Sequence, residues 1–144
     1  MSAPNVTDLV AGFRADPREY GPLAQPDFVR YAGASGDFNP IHFNDEFAHD
    51  AGFPSVFSQG MLQGGILASY VTDWLGAENI RRFRVQFREQ VWPGDRLECS
   101  ATVVRRFDEG GEARVDLAVQ CTRVQTAGGP TAGVAIIGEA TFVV

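Results

Sequence analysis

The chain has 144 residues, 44% of them hydrophobic and 21% charged, with eleven Phe and a net charge of −6. That length suits one domain able to withdraw about two-thirds of its unfolded surface from water, and the composition is globular rather than disordered or fibrous. The acidic balance argues against nucleic acid as a partner, which needs a concentrated basic surface, and because all 12 basic residues are Arg, Schiff-base and lysine-nucleophile chemistry is excluded.

Residues 1–25 carry Pro4, Pro17 and Pro22 on little hydrophobic pattern and read as an irregular N-terminal arm, with at most a helical turn or a short strand. Asp27 is the expected cap of a short helix through Phe28, Val29, Tyr31 and Ala32 that ends between Gly33 and Gly36. The next segment, Gly36-Asp37-Phe38-Asn39-Pro40-Ile41-His42, brings a carboxylate, a carboxamide, a turn-forming proline and an imidazole together in one loop. Asn44 then caps a second helix running to Ala51, with Asp45 and Glu46 in its first turn and Gly52 and Pro54 ending it.

Residues 60–75 place Met61, Leu62, Ile66, Leu67, Tyr70, Val71, Trp74 and Leu75 at helical spacing over a wide apolar sector, which predicts the most buried helix of the chain, stopped by Gly76. Gly64 and Gly65 inside it cost about 1 kcal/mol each against Ala, a penalty that predicts close approach of another backbone or a ligand. Everything beyond reads as strand. Phe83, Val85 and Phe87 alternate with polar residues, and after the Trp92-Pro93-Gly94-Asp95 turn so do Leu97, Cys99, Ala101 and Val103. A Glu109-Gly110-Gly111-Glu112 hairpin leads to Val115, Leu117, Val119 and Cys121, and a Gly128-Gly129-Pro130 turn leads to a closing strand from Val134 to Val144. Four long strands with one apolar face each, preceded by one long apolar helix, predict an α+β domain in which an antiparallel sheet wraps around the helix.

Cys99 and Cys121 form no C-x-x-C pair and sit at apolar strand positions, so they are expected to be reduced, inert core thiols. The first residues show no basic region followed by an apolar run, and no stretch of about 18 apolar residues occurs; a cytoplasmic protein without a membrane span is expected. His49 lies on the polar side of the second helix and is read as a surface residue. Two His without clustered Cys argue against a metal site. Arg82, Arg84, Arg88, Arg105 and Arg106 could meet the phosphates of a carrier or an acidic carrier protein, but the first expectation for them is the solvated face of a sheet.

Asp37 and His42 are the side-chain types most used for general acid and base, and a rigid turn between them can aim both at one water. By itself the segment also suits an Asx-turn followed by a buried, hydrogen-bonded histidine. A second element decides between these readings. The stretch Tyr31 to His42, with Asp-x-Asn-Pro-x-His inside it, followed by Gly60-Met61-Leu62 at a helix start, resembles the MaoC-like, (R)-specific enoyl-thioester hydratases and 3-hydroxyacyl-thioester dehydratases, a family with the hot-dog fold; weaker similarity runs from about Asp27 to Phe142.

The resemblance implies that Asp37 and His42 form the dyad that holds the catalytic water, and that the Gly60 N–H is the oxyanion donor for the thioester oxygen. It further implies syn hydration of trans-2-enoyl thioesters to (3R)-3-hydroxyacyl thioesters, or the reverse, without a cofactor, in a homodimer or a heteromer with another hot-dog subunit. Asn39 and Pro40 are expected to support the dyad loop, and Met61, Gly64 and Gly65 to border the substrate pocket. Relatives usually carry His where this chain has Gln59, a side chain that hydrogen-bonds but does not titrate. The alternatives are a hot-dog thioesterase, which would not need the Asp-x-Asn-Pro-x-His segment, and a non-catalytic subunit of an acyl-processing complex.

Overall fold

Period-two alternation gives each strand one apolar row, and those rows decide which face of the sheet meets the helix. In the computed structural model, which describes residues 6–124 and 132–144, strand β3 (Arg96–Glu109) buries Leu97, Cys99, Ala101 and Val103, and β4 (Glu112–Val124) buries Val115, Leu117, Val119 and Cys121. Strand β5 (Gly133–Val143) adds Ile136, Ala140 and Phe142. With β1 (Arg18–Tyr20) and β2 (Ile80–Phe87) at its edges, the sheet has the order β1-β3-β4-β5-β2 and is antiparallel throughout. The turn expected at Gly128-Gly129-Pro130 lies outside the described residues.

The helix the sheet curls around, α3 (Gly60–Leu75), has the bounds its apolar spacing predicts. Leu67, Tyr70 and Val71 are fully buried in the common core, each side chain of this kind stabilising the fold by about 1.5–3 kcal/mol relative to exposure. The Tyr70 hydroxyl donates to the Asp16 carbonyl at 2.9 Å, and burial pushes its phenol up to about 12, so it stays a donor. Cys99 and Cys121 stand opposite each other on β3 and β4, both fully buried; the hydrogen bond between the two thiols and their burial both push Cys99 upward, away from the reactive thiolate.

One expectation is corrected. The helix α1 (Gln25–Ser35) starts ahead of Asp27: Ala24 is its N-cap, and the Asp27 carboxylate, one turn in, accepts from the Ala24 N–H at 2.8 Å. A carboxylate at the third helical position satisfies the orphan donors from inside the helix rather than from before it. The described part of the arm contains the helical turn and the short strand that its sequence allowed, and its backbone is tied to the sheet. A 3-10 turn at Val6–Asp8 is followed by β1, and bonds Gly12 N–H to Val103 O (2.8 Å) and Ala15 N–H to Ala101 O (3.0 Å) stitch the arm along β3, burying Leu9, Ala15 and Leu23. The arm's polar backbone finds its partners on a sheet edge that the sequence pattern does not reveal.

The short α2 (Asp45–Asp50) is capped as expected, Asn44 accepting from Phe47 N–H at 3.0 Å. The β3–β4 hairpin turns through Gly110 (φ 61°) and Gly111 (φ 79°), a two-residue turn with both φ positive, which two glycines adopt without strain. Among the described residues no helix is long and apolar enough to cross a membrane.

Beside that hairpin, Glu112 lies 2.7 Å from both Arg81 and Arg114, and these guanidinium groups, Arg81 foremost, hold its carboxyl down to about 2. A carboxyl whose folded value is depressed adds stability above its ordinary pKa and loses it as pH falls toward the folded value. The melting-temperature gap between the wild type and Glu112→Gln is therefore expected to be full at pH 7 and to shrink steadily between about pH 4.5 and pH 2, as thermal denaturation across that range would register.

Candidate active site

The loop between α1 and α2 is built from its own side chains. Asp37 Oδ1 accepts from the Asn39 N–H at 3.3 Å, and Asn39 Oδ1 accepts from the Ile41 N–H at 3.2 Å, capping a 3-10 turn at Pro40–His42. Short polar side chains before a proline favour this arrangement. The Asx-turn reading is thus correct for one carboxylate oxygen of Asp37. The other, Oδ2, faces His42 Nε2 at 3.6 Å.

His42 is nearly buried, whereas 46% of the Asp37 side chain is open. His42 Nδ1 lies 2.7 Å from the Phe57 carbonyl oxygen. A carbonyl only accepts, so Nδ1 carries the proton and the neutral ring presents a lone pair at Nε2. A separation of 3.6 Å exceeds a direct hydrogen bond, but one water at about 2.8 Å can reach both atoms. The ring of Phe57 stands edge-on to His42 (5.3 Å, 84°) and packs on Phe53 and Trp92, which makes that wall of the site aromatic.

Phe57 leads in three residues to the start of α3. Ser58 N–H donates to Val91 O at 2.8 Å, and Gln59 Nε2 donates to the Phe28 carbonyl of α1 at 2.9 Å. Gln59, fully buried, is the N-cap of α3 but makes no side-chain cap bond, and its Oε1 has no partner among the described residues. The Gly60 N–H likewise meets no acceptor among the described residues, as expected of a first helical donor, and it stands at the positive end of a 16-residue helix. Gln63, oriented to suit its neighbours, donates to the Gln59 and Gly60 carbonyls and accepts from Ser58 Oγ at 3.2 Å. One continuous segment therefore holds the imidazole at one end and the free helix N–H at the other.

A cavity of about 260 Å³ opens beside Gly60, lined by Phe57, Ser58, Gln63, Phe87 and Ile136 among others. The larger concavity, about 1110 Å³, lies on the outer face of the sheet among residues such as Ser100, Thr102 and Gln120 and holds none of Asp37, His42 or Gly60; Asp37 and His42 line neither cavity, and Gly60 lines only the smaller. Met61, Gly64 and Gly65 line neither. Met61 is exposed, a Cβ on Gly64 would touch only the Met61 thioether at 3.8 Å, and Gly65 faces open space about 140° around the helix from Gly60. Among the described residues no backbone of another element crowds the two glycines, so of the two approaches expected there, a backbone or a ligand, the first is not made within the chain.

His49 is exposed as expected, its Nε2 2.8 Å from the Pro54 carbonyl. Arg82 and Arg105 pair with Glu139 (3.8 Å) and Asp116 (2.6 Å) on the outer sheet face, the solvated arrangement expected of them. Two residues of the site carried no sequence signal of that role. The Phe57 carbonyl is a main-chain group, and Phe87 read only as an apolar strand position.

A sheet wrapped around one long helix, with a carboxylate and an imidazole facing each other and tied through Phe57 to the helix start, defines a hot-dog protein. The chain belongs to the MaoC-like domain family, which it matches over residues 11–125. It is 29% identical over 126 residues to the (R)-specific enoyl-CoA hydratase of Rhodospirillum rubrum, covering 85% of this chain and 80% of that enzyme. It is also 32% identical over 73 residues to the fatty acid synthase β subunit of Saccharomyces cerevisiae, covering 49% of this chain; the chain spans only 4% of that subunit's length. Its fold is similar to the ChsH1–ChsH2 complex of Mycobacterium tuberculosis, with a TM-score of 0.76 and 18% identity, covering 93% of this chain and 97% of that one.

The Gln59 bond to α1 is testable by stability. Gln59→Leu removes the side-chain bond to the Phe28 carbonyl, which keeps its own helical partner inside α1, and is expected to cost about 0.5–1.5 kcal/mol, while Gln59→His, which restores a donor, is expected to cost less; urea unfolding of the two variants measures the difference.

Proposed function

We propose that the chain catalyses the reversible syn hydration of trans-2-enoyl thioesters, carried on coenzyme A or an acyl carrier protein, to (3R)-3-hydroxyacyl thioesters. The observation that carries this reading is the facing of His42 Nε2 and Asp37 Oδ2 at 3.6 Å while Nδ1 is committed to Phe57. In hydration, Nε2 takes a proton from a water held by both groups as the water oxygen bonds to C3 of the substrate. The C2–C3 π electrons move toward the thioester oxygen, where the Gly60 N–H and the α3 dipole stabilise the developing enolate. A proton returned to C2 from the same side completes the syn addition, and Asp37 holds the water and stabilises the transient imidazolium. Asn39 and Pro40 keep the loop in register, and the scheme uses no cofactor.

The proposed assembly is a homodimer. Among the described residues strand β2 is paired only with β5, so its second edge is open, and an open edge of eight residues is a template for another strand. A different hot-dog subunit on the same edge is the second reading, supported by the likeness to the ChsH1–ChsH2 complex.

Purified protein mixed with crotonyl-CoA is expected to lose the conjugated enoyl absorbance without releasing free thiol; thiol release alone would establish a thioesterase instead. Asp37→Asn and His42→Ala should each lower kcat/KM by at least about 100-fold, with the double variant little worse because the two act as a unit. Near-wild-type turnover by Asp37→Asn would remove the mechanism.

A further inference from the structure

Residues 54–57 carry the carbonyl that holds His42, yet they belong to no helix or strand, and among the described residues their backbone bonds to no other backbone group. Polar main chain that enters a core must find partners of another kind. It finds them in side chains of the dyad turn and of α2. His49 Nε2 lies 2.8 Å from the Pro54 carbonyl oxygen, Asp45 Oδ1 accepts from the Val56 N–H at 3.1 Å, and His42 Nδ1 lies 2.7 Å from the Phe57 carbonyl oxygen. The three contacts run antiparallel and pass from the surface inward, since His49 and Asp45 are exposed while Val56 and His42 are buried. Side chains here take the place of a neighbouring strand.

The middle contact decides where the inner one points. Packing on Phe53 and Trp92 fixes the Phe57 ring, but a peptide plane can still turn beside a fixed ring. The Phe57 carbonyl shares its plane with the Ser58 N–H, which Val91 holds from one side; Asp45 holds the chain on the other side, at Val56. Without Asp45 the Val56 N–H is left unpaired beside a buried side chain, a costly state that turning the nearby planes relieves. The imidazole then follows the carbonyl, because a neutral ring keeps its proton on the nitrogen that has an acceptor. A proton moved to Nε2 removes the lone pair that faces Asp37. The sequence shows Asp45 only as an acid in the first turn of α2, a place that Glu46 shares without a hydrogen bond or ion pair among the described residues.

We propose that Asp45 is a positioning residue of the dyad: by holding the Val56 N–H it keeps the Phe57 carbonyl on His42 Nδ1 and the Nε2 lone pair toward Asp37. Its effect on turnover rests on the hydratase reading, whereas its effect on the ring does not. The chain has only two His, and their carbonyl partners require opposite neutral tautomers, Nδ1–H for His42 and Nε2–H for His49. Long-range 1H–15N NMR spectra of the full chain in mildly alkaline buffer distinguish them, with His49→Gln for assignment.

Asp45→Ala is expected to move His42 from the Nδ1–H pattern toward a mixture of tautomers. It should also lower kcat on crotonyl-CoA by about 10- to 100-fold, the scale on which a small misplacement of a reacting group acts, with KM within about threefold. Asp45→Asn, which keeps an acceptor oxygen, should restore both the pattern and the rate, and Glu46→Ala should alter neither. A folded Asp45→Ala in which His42 stays wholly Nδ1–H overturns the assignment, as does an Asp45→Asn as impaired as Asp45→Ala, because charge and not the bond would then matter. An altered ring with unaltered kcat overturns its catalytic half. If melting curves find Asp45→Ala unfolded, Asp45→Ser, whose oxygen ends one bond short, takes its place with the same expected results. A wild type inert toward every enoyl thioester removes the hydratase reading, and the spectra still decide the role of Asp45.

Discussion

The geometry of the site depends on where the main chain from Phe57 to Gly60 is held. Its carbonyl at Phe57 accepts a hydrogen bond from His42 Nδ1–H, its N–H at Ser58 is bonded to Val91 before β3, and the Gln59 side chain is bonded to Phe28 in α1. Each is a single hydrogen bond of modest net value, about 1 kcal/mol, but each would be expensive to leave unmade in so buried a place. Three anchors in three directions give four residues one position, and the two ends of that segment hold the imidazole and the helix-start N–H. Displacing it would move the imidazole and the helix N–H together, so their separation is protected better than either location.

Asp37 illustrates how a loop of ordinary turn chemistry becomes reactive. One carboxylate oxygen is committed to the Asn39 backbone, which fixes the side chain's direction; the other is left for the imidazole. The structural reading of this segment and the chemical one do not compete, because a carboxylate has two oxygens and the turn needs one. Gly60 has a comparable double constraint. Its N–H begins the helix, and the space a side chain would take is filled by the Phe87 ring.

Gln59 stands where the family resemblance implies His, and its place in the structure suits an amide. The residue is asked to donate one hydrogen bond to a carbonyl on α1 while fully buried. A neutral amide does this at any pH, and it avoids the cost of burying a group that can charge. The unpartnered Oε1 is the residual cost of using an amide there, since the site offers an acceptor for its nitrogen and no donor for its oxygen.

Much of this protein was legible in the chain. Local chemistry was enough for the bounds of α3, the β3–β4 hairpin, the Asn44 cap and the alternating core of β3 and β4, because propensity, period and turn residues all agree there. The Asp-x-Asn-Pro-x-His segment was equally legible, since its residues shape one another within a few positions. Tertiary structure decided the rest. The arm's strand, the accepting carbonyl of Phe57, the reach of Gln59 to α1 and the ring of Phe87 on Gly60 all join residues far apart in sequence, through groups that any sequence carries or that look like ordinary core. Periodicity reports which face of an element is apolar, but not which partner that face or its backbone will meet, and the identity of that partner is what places the site beside its cavity.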